Sequence, residues 1–284
     1  MGELQIEEPQ ILEPLEKRER KLVIEWPEKQ KLLEDRDKYL NDHFEKNREK
    51  MREYFPKYSE VKIDQLSRLY GNTLFMLQEM QRLSPIPLEV PIEVTDFRDT
   101  EVSDFFVTEW MADDGRDSQL VLVKMKINLS RIDVEIDEQA NELNTLLEIS
   151  EKIEMGLSEE EAKKEVTMEI DKNIADLDIL MMEFAVHEFA HLIYAQGRFN
   201  RPTNRRVAGL NNAMSFFRRE KYLSPDVRWE NYLSLELETR ARLWEVEFLR
   251  HYFPDSKFLD KVQEELRIGR EARVKKSNRV ISRV

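Results

Sequence analysis

Cysteine is absent from the 284 residues, which removes disulfides, thiolate metal ligands and cysteine nucleophiles from consideration. Any metal held by this chain must therefore sit on His, Asp or Glu. Glycine (seven) and proline (ten) are sparse, so few positions interrupt regular structure. The abundance of Glu, Lys, Arg and Leu then gives the composition of a mainly helical protein. No stretch approaches the ~18 apolar residues of a membrane span, and the N-terminal text MGELQIEEPQILEPLEKRER lacks a basic start followed by an apolar run. A soluble, cytoplasmic protein with no membrane partner is the expectation.

Positive charge is also in deficit, with 45 Lys and Arg against 58 Asp and Glu for a net charge of −13. That balance argues against nucleic acid as a partner of the whole chain, because phosphate binding draws on clustered Lys and Arg. The basic run from Arg267 to Arg283 is a local exception and reads as the solvated end of an amphipathic helix. The 40% hydrophobic content is enough to build a core, in one large domain or two modest ones.

Three prolines in SPIPLEVPIEV place a soft boundary, dividing an N-terminal arm and helical region (1–88) from the remainder (89–284). Within the first part, Leu33, Leu40, Phe44 and Met51 recur at helical spacing and predict a helix over 28–55 with one narrow apolar stripe. A second helix is expected over 62–83, on a broader face of Leu66, Leu69, Tyr70, Leu74, Leu77 and Met80. After the boundary, DFFVTEWMA and SQLVLVKMKINLS read as two strands of a hairpin turning at DDGRD. Helices on either side of Gly156 follow, the second opened by a capping box of Ser158 and Glu161. The most apolar helix is expected over 174–196 with Gly197 as its left-handed cap. Ser224 and Pro225 then open a run expected to reach Tyr252, and a last helix starts near Lys257. The fold class is α+β, predominantly helical, with a small hairpin or sheet.

Two of the chain's four histidines fall on that apolar helix, in His187-Glu188-Phe189-Ala190-His191. Positions i and i+4 lie one above the other on a helix face, so both imidazoles can bind one ion. Glu188 is angled toward a water on the metal rather than the metal itself, which suits a general base in peptide hydrolysis by metal-activated water. Two imidazoles and a carboxylate on an apolar helix would otherwise be costly burials. His43, in the charged first helix, is read as a surface residue.

The H-E-x-x-H segment resembles the zincin metallopeptidases, whose signature asks for uncharged residues around the ligands. Ala185, Phe189, Ala190, Leu192 and Ile193 meet it, and Phe184 departs only where Val or Thr is usual. The resemblance implies a Zn2+ cofactor, a peptide or protein substrate, a zincin-like catalytic domain and a third protein ligand. Position 194 is Tyr and position 197 is Gly, which excludes the metzincin pattern of a later histidine. The gluzincin pattern takes a Glu from a downstream helix as E-x-x-A, and Glu238 with Ala241 matches it. Leu235, Ala241, Val246 and Leu249 flank Glu238 on an apolar face, while Glu236, Glu245 and His251 remain competitors for the third ligand. Arg242 stands where the gluzincin pattern often carries an orienting acid or amide, so any orienting carboxylate must come from elsewhere. Tyr194, Arg205, Arg206 and Tyr222 are the candidates for stabilising an oxyanion. The strand LVLVKMKINL could receive an extended substrate on a free edge. The alternative is a non-catalytic module that keeps the fold as a binding or structural unit.

Overall fold

The computed structural model describes residues 24–84, 92–101, 105–112, 120–140, 142–199 and 225–281. Its elements in chain order are α1 (Lys29–Tyr54), α2 (Glu60–Leu83), β1 (Ile92–Phe97), β2 (Phe106–Ala112), β3 (Leu120–Asn128), α3 (Leu129–Ala140), α4 (Glu142–Glu154), α5 (Glu159–Phe199), α6 (Pro225–Leu233), α7 (Glu236–Tyr252) and α8 (Lys257–Ile281). The described chain is mostly helical with one small sheet, and none of its helices is long and apolar enough to cross a membrane.

The two N-terminal helices pair as an antiparallel hairpin. Ser59 caps α2 by accepting from Lys62 N at 3.3 Å. Gly71 sits where α1 crosses, since a Cβ there would lie 2.7 Å from Leu40 Cδ2. The deepest apolar residues of α1 are Leu32 and Met51, whereas Leu33, Leu40 and Phe44 are only half-buried. Of the expected stripe only Met51 is fully buried, and Asn47 joins it on the side that faces Gly71 of α2.

The hairpin of β2 and β3 forms as expected, with Phe106 opposite Ile127. The sheet also has a third strand, β1, that the proline-rich reading missed. It pairs in parallel with β3 from Ile92↔Val123 to Phe97↔Asn128, giving the order β1-β3-β2. β3 is therefore the central strand, and both its edges are taken over this register. It cannot receive a substrate strand as the sequence suggested. The outer edges belong to β1 and β2. Buried Asn128 ties the sheet to α3: its Nδ2 donates to Asp99 O at 2.9 Å, and its Oδ1 accepts from Ser130 N at 3.2 Å in the first turn of that helix.

The capping box at the start of α5 is reciprocal, with Ser158 N donating to Glu161 Oε2 at 3.1 Å and Glu161 N to Ser158 Oγ at 3.3 Å. From there α5 runs unbroken for 41 residues. The expected start near Ile174 lies inside the helix, whose earlier turns already bury Ala162 and Val166. Gly197 lies inside the helix and does not cap it, since Gly156 is the one glycine with positive φ among the described residues. α5 is the axis of the molecule, packed against α2, α3, α4 and α7. Leu177, Met181, Met182, Ala185, Val186, Phe189, Leu192 and Ile193 are all buried along it. One continuous hydrophobic core joins α1, α2, β3, α3, α5, α7 and α8.

The helix expected to run from Pro225 to Tyr252 breaks at Ser234–Leu235, where Leu235 is extended (φ −63°, ψ 139°). The break follows from close packing against α8. The Leu233 carbonyl comes so near Gly269 that a Cβ there would lie 2.3 Å from its oxygen, and Arg273 Nε donates to Ser234 O at 3.1 Å. The turn lets α7 lie along α5 independently of α6.

Candidate metal centre

His187 and His191 are presented one turn apart on the buried stretch of α5, with ring centroids 4.4 Å apart and planes at 85°. Opposite them lies α7, whose Ala241 is fully buried and lets the two helices approach closely. Phe189 and Trp244 stack across the same contact at 6.5 Å.

Glu238 enters from α7 and addresses both imidazoles. Its Oε1 is 3.3 Å from His191 Nε2 and its Oε2 is 3.5 Å from His187 Nε2. Donor atoms around a small four-coordinate cation, with bonds of about 2 Å, stand about 3.3 Å apart, so these separations fit a shared ion. Donor atoms of His187, Glu188 and His191 all lie within 4.8 Å of one another, a group able to hold a metal ion. Two buried atoms at the site, Glu238 Oε2 and His191 Nδ1, have no hydrogen-bond partner among the described residues. A carboxylate at 3% residue exposure that faces its imidazole neighbours without a close hydrogen bond on Oε2 is a costly burial, and a cation between them would reduce the cost.

Behind the histidines lies a layer of charge. Glu245, fully buried, accepts from His187 Nδ1 at 2.9 Å, which leaves Nε2 free to face Glu238. Arg242 anchors Glu245 through Nη1 at 2.9 and 3.1 Å and reaches Glu265 on α8 at 3.1 Å. The orienting carboxylate that the E-x-x-A position lacks is thus supplied by Glu245, one turn further on. Arg242, the departure from the pattern, is what holds it. Glu183, one turn before His187 and only 3% exposed, hydrogen-bonds Glu245 from the other side.

The ionisation states follow from this packing. Burial opposes a charge on His187, yet the carboxylates of Glu245 and Glu238 outweigh it and hold the imidazole well above its ordinary range. Burial likewise opposes a charge on Glu238, but the adjacent histidines hold its carboxyl well below the usual range. Glu183 goes the other way: burial, then the charge of Glu245, push it well up, so it is the neutral acid that donates to Glu245. Burial and the nearby Glu238 raise the Tyr232 phenol, whose hydroxyl hydrogen-bonds Glu238.

His187, Glu188, His191 and Glu238 therefore converge. Of the competing third ligands, Glu245 serves as the orienting partner of His187 instead. His251 is exposed at the far end of α7 and donates Nε2 to Pro27 O at 3.2 Å. The side chain of Glu236 lies outside the described residues, as do that of Tyr194 and the whole of Arg205, Arg206 and Tyr222. His43 is not on the open surface but half-buried, stacked on Tyr39 at 4.1 Å. Tyr232, Glu183 and Glu265 were missed. Tyr232 carried no signal, because it reaches Glu238 only through the turn at Ser234–Leu235. Glu183 lies at i−4 from His187 and was legible as a further polar residue on the motif's own face. Comparison of the chain with protein-family models, curated proteins and solved structures finds no match.

Proposed function

We propose that the chain is a zinc-dependent metallopeptidase of gluzincin-like design, with His187, His191 and Glu238 as ligands and Glu188 as general base. The observation that carries the reading is Glu238, buried on a separate helix with one oxygen facing each imidazole at 3.3 and 3.5 Å. Two histidines and one carboxylate, with no thiolate in the sequence, form the donor set of a catalytic rather than a closed structural zinc site.

When bound, zinc supplies a Lewis acid that polarises a carbonyl and makes a nearby water more acidic. The rest is the work of the protein. Glu245 fixes His187 so that Nε2 points at the ion position, and Arg242 keeps Glu245 in place. Tyr232 holds the Glu238 carboxylate by a hydrogen bond. Glu188, half-buried beside both ligands, takes a proton from the attacking water and returns it to the departing amine.

The test is Glu188→Gln, assayed for zinc content and for cleavage of a broad peptide library. The variant is expected to retain zinc and lose cleavage by a factor of at least about 10². Equal activity in wild type and variant would remove Glu188 from the chemistry. Zinc in both proteins with cleavage in neither would favour the non-catalytic module.

A further inference from the structure

A cavity of about 590 Å³ opens between α1 and α2, and every residue lining it belongs to those two helices, so it is separate from the candidate metal centre on α5 and α7. That volume suits a small organic molecule. Asn47 lines the cavity at only 5% exposure, yet its Nδ2 has no hydrogen-bond partner among the described residues. A buried amide in that condition is costly unless a ligand answers it. Tyr70, equally buried, lines the cavity too; its oxygen accepts from Lys50 Nζ at 2.8 Å, which leaves the hydroxyl hydrogen to donate. Tyr39 and His43 give the wall a flat aromatic pair. His43 Nδ1 donates to Tyr39 O at 2.9 Å, and the two rings stack at 4.1 Å with planes 20° apart. Charge in the lining is either answered or in water: Lys50 pairs with Asp96 at 2.9 Å, and Lys46, Glu49 and Glu53 are exposed.

We propose that this cavity binds a flat, uncharged heteroaromatic ring with an amide edge, a C=O and an N–H side by side. The side-chain amide of Asn47 presents a donor and an acceptor at the matching spacing, so two hydrogen bonds form at once. The Tyr70 hydroxyl serves a further acceptor on the ligand. The ring itself lies against the Tyr39–His43 pair and Leu74, where it leaves water and gains an aromatic contact. A charged ligand finds no unanswered counter-charge inside. The inference stands independently of the metallopeptidase reading.

The experiment titrates the full chain, followed by NMR, with nicotinamide and with 1-methyluracil, which carry the amide edge outside and inside the ring. At least one is expected to bind about tenfold more tightly than cyclohexanecarboxamide, which keeps the amide without the flat ring, and than nicotinate, which replaces the edge by a charge. Preference for nicotinamide or for 1-methyluracil supports the proposal either way and tells an exocyclic amide from a ring lactam. Asn47→Leu is expected to fold, because it removes a buried amide that lacks a partner, and to weaken binding about tenfold. His43→Ala should weaken it about three- to tenfold. Failure of both probes to bind would overturn the proposal, as would wild-type affinity in Asn47→Leu. Nicotinate binding as tightly as nicotinamide would also overturn it, by marking an anion site.

Discussion

α5 carries two buried charged clusters, and the difference between them separates what supports the fold from what the site requires. Around Asp178 one carboxylate meets one guanidinium and one amide: Arg68 pairs with it from α2, and Asn72 Nδ2 donates to its Oδ1 at 2.6 Å. That cluster is balanced, and it joins two helices. Two to three turns further along, Glu183, Glu188, Glu238, Glu245 and Glu265 crowd around His187 and His191 with Arg242 as the guanidinium among them. Arg242 and the imidazole of His187, held well above its ordinary range, face those carboxylates. Buried charge is unfavourable unless it is compensated, and the His187, Glu188 and His191 group there could hold a metal ion. The same helix therefore offers one cluster whose groups pair with one another and one able to hold an ion.

The comparison breaks most visibly at Glu238. Glu238→Ala removes the ligand from α7, and zinc affinity is expected to fall by a factor of at least about 100, as measured by competition with a chromophoric chelator. Arg242→Met leaves Glu245 without its anchor. A loss of about 10- to 100-fold in zinc affinity is expected, together with lower stability in urea, because buried carboxylates lose their counter-charge. Asp178→Ala should behave in the opposite sense. It leaves the Asn72 amide unpaired and costs about 2 kcal/mol of unfolding free energy, with zinc affinity unchanged. A drop in zinc affinity there would mean that the two clusters are not independent. The smallest effect belongs to Glu183→Gln, which mimics the neutral acid. It should keep the hydrogen bond to Glu245 and shift stability by less than about 1 kcal/mol.

The features legible in the sequence are those set by spacing within one helix. His187 and His191 share a face because they are four residues apart, and nothing distant can change that. Ser158 and Glu161 formed the capping box for the same reason. Glu238 was reachable because a carboxylate among Leu235, Ala241, Val246 and Leu249 needs a partner, and the small Ala241 marks a close helix contact. What escaped depends on long-range packing. The parallel pairing of β1 with β3 is set by a partner some thirty residues away, in a segment whose prolines mask a strand. The break at Ser234–Leu235 has no proline or glycine of its own and arises from Gly269 on α8. Tyr232 and the orienting role of Glu245 depend on that break and on the α5–α7 contact, so neither could be read locally.

The central claim is that the two imidazoles and Glu238 together hold one divalent ion. The most direct test is the metal content of the full chain purified without added zinc, determined by mass spectrometry of the digested protein, beside a His187→Ala/His191→Ala double variant. One zinc per chain in the wild type and none in the double variant is the predicted result. A folded wild type that carries no zinc and takes up none on titration would contradict it.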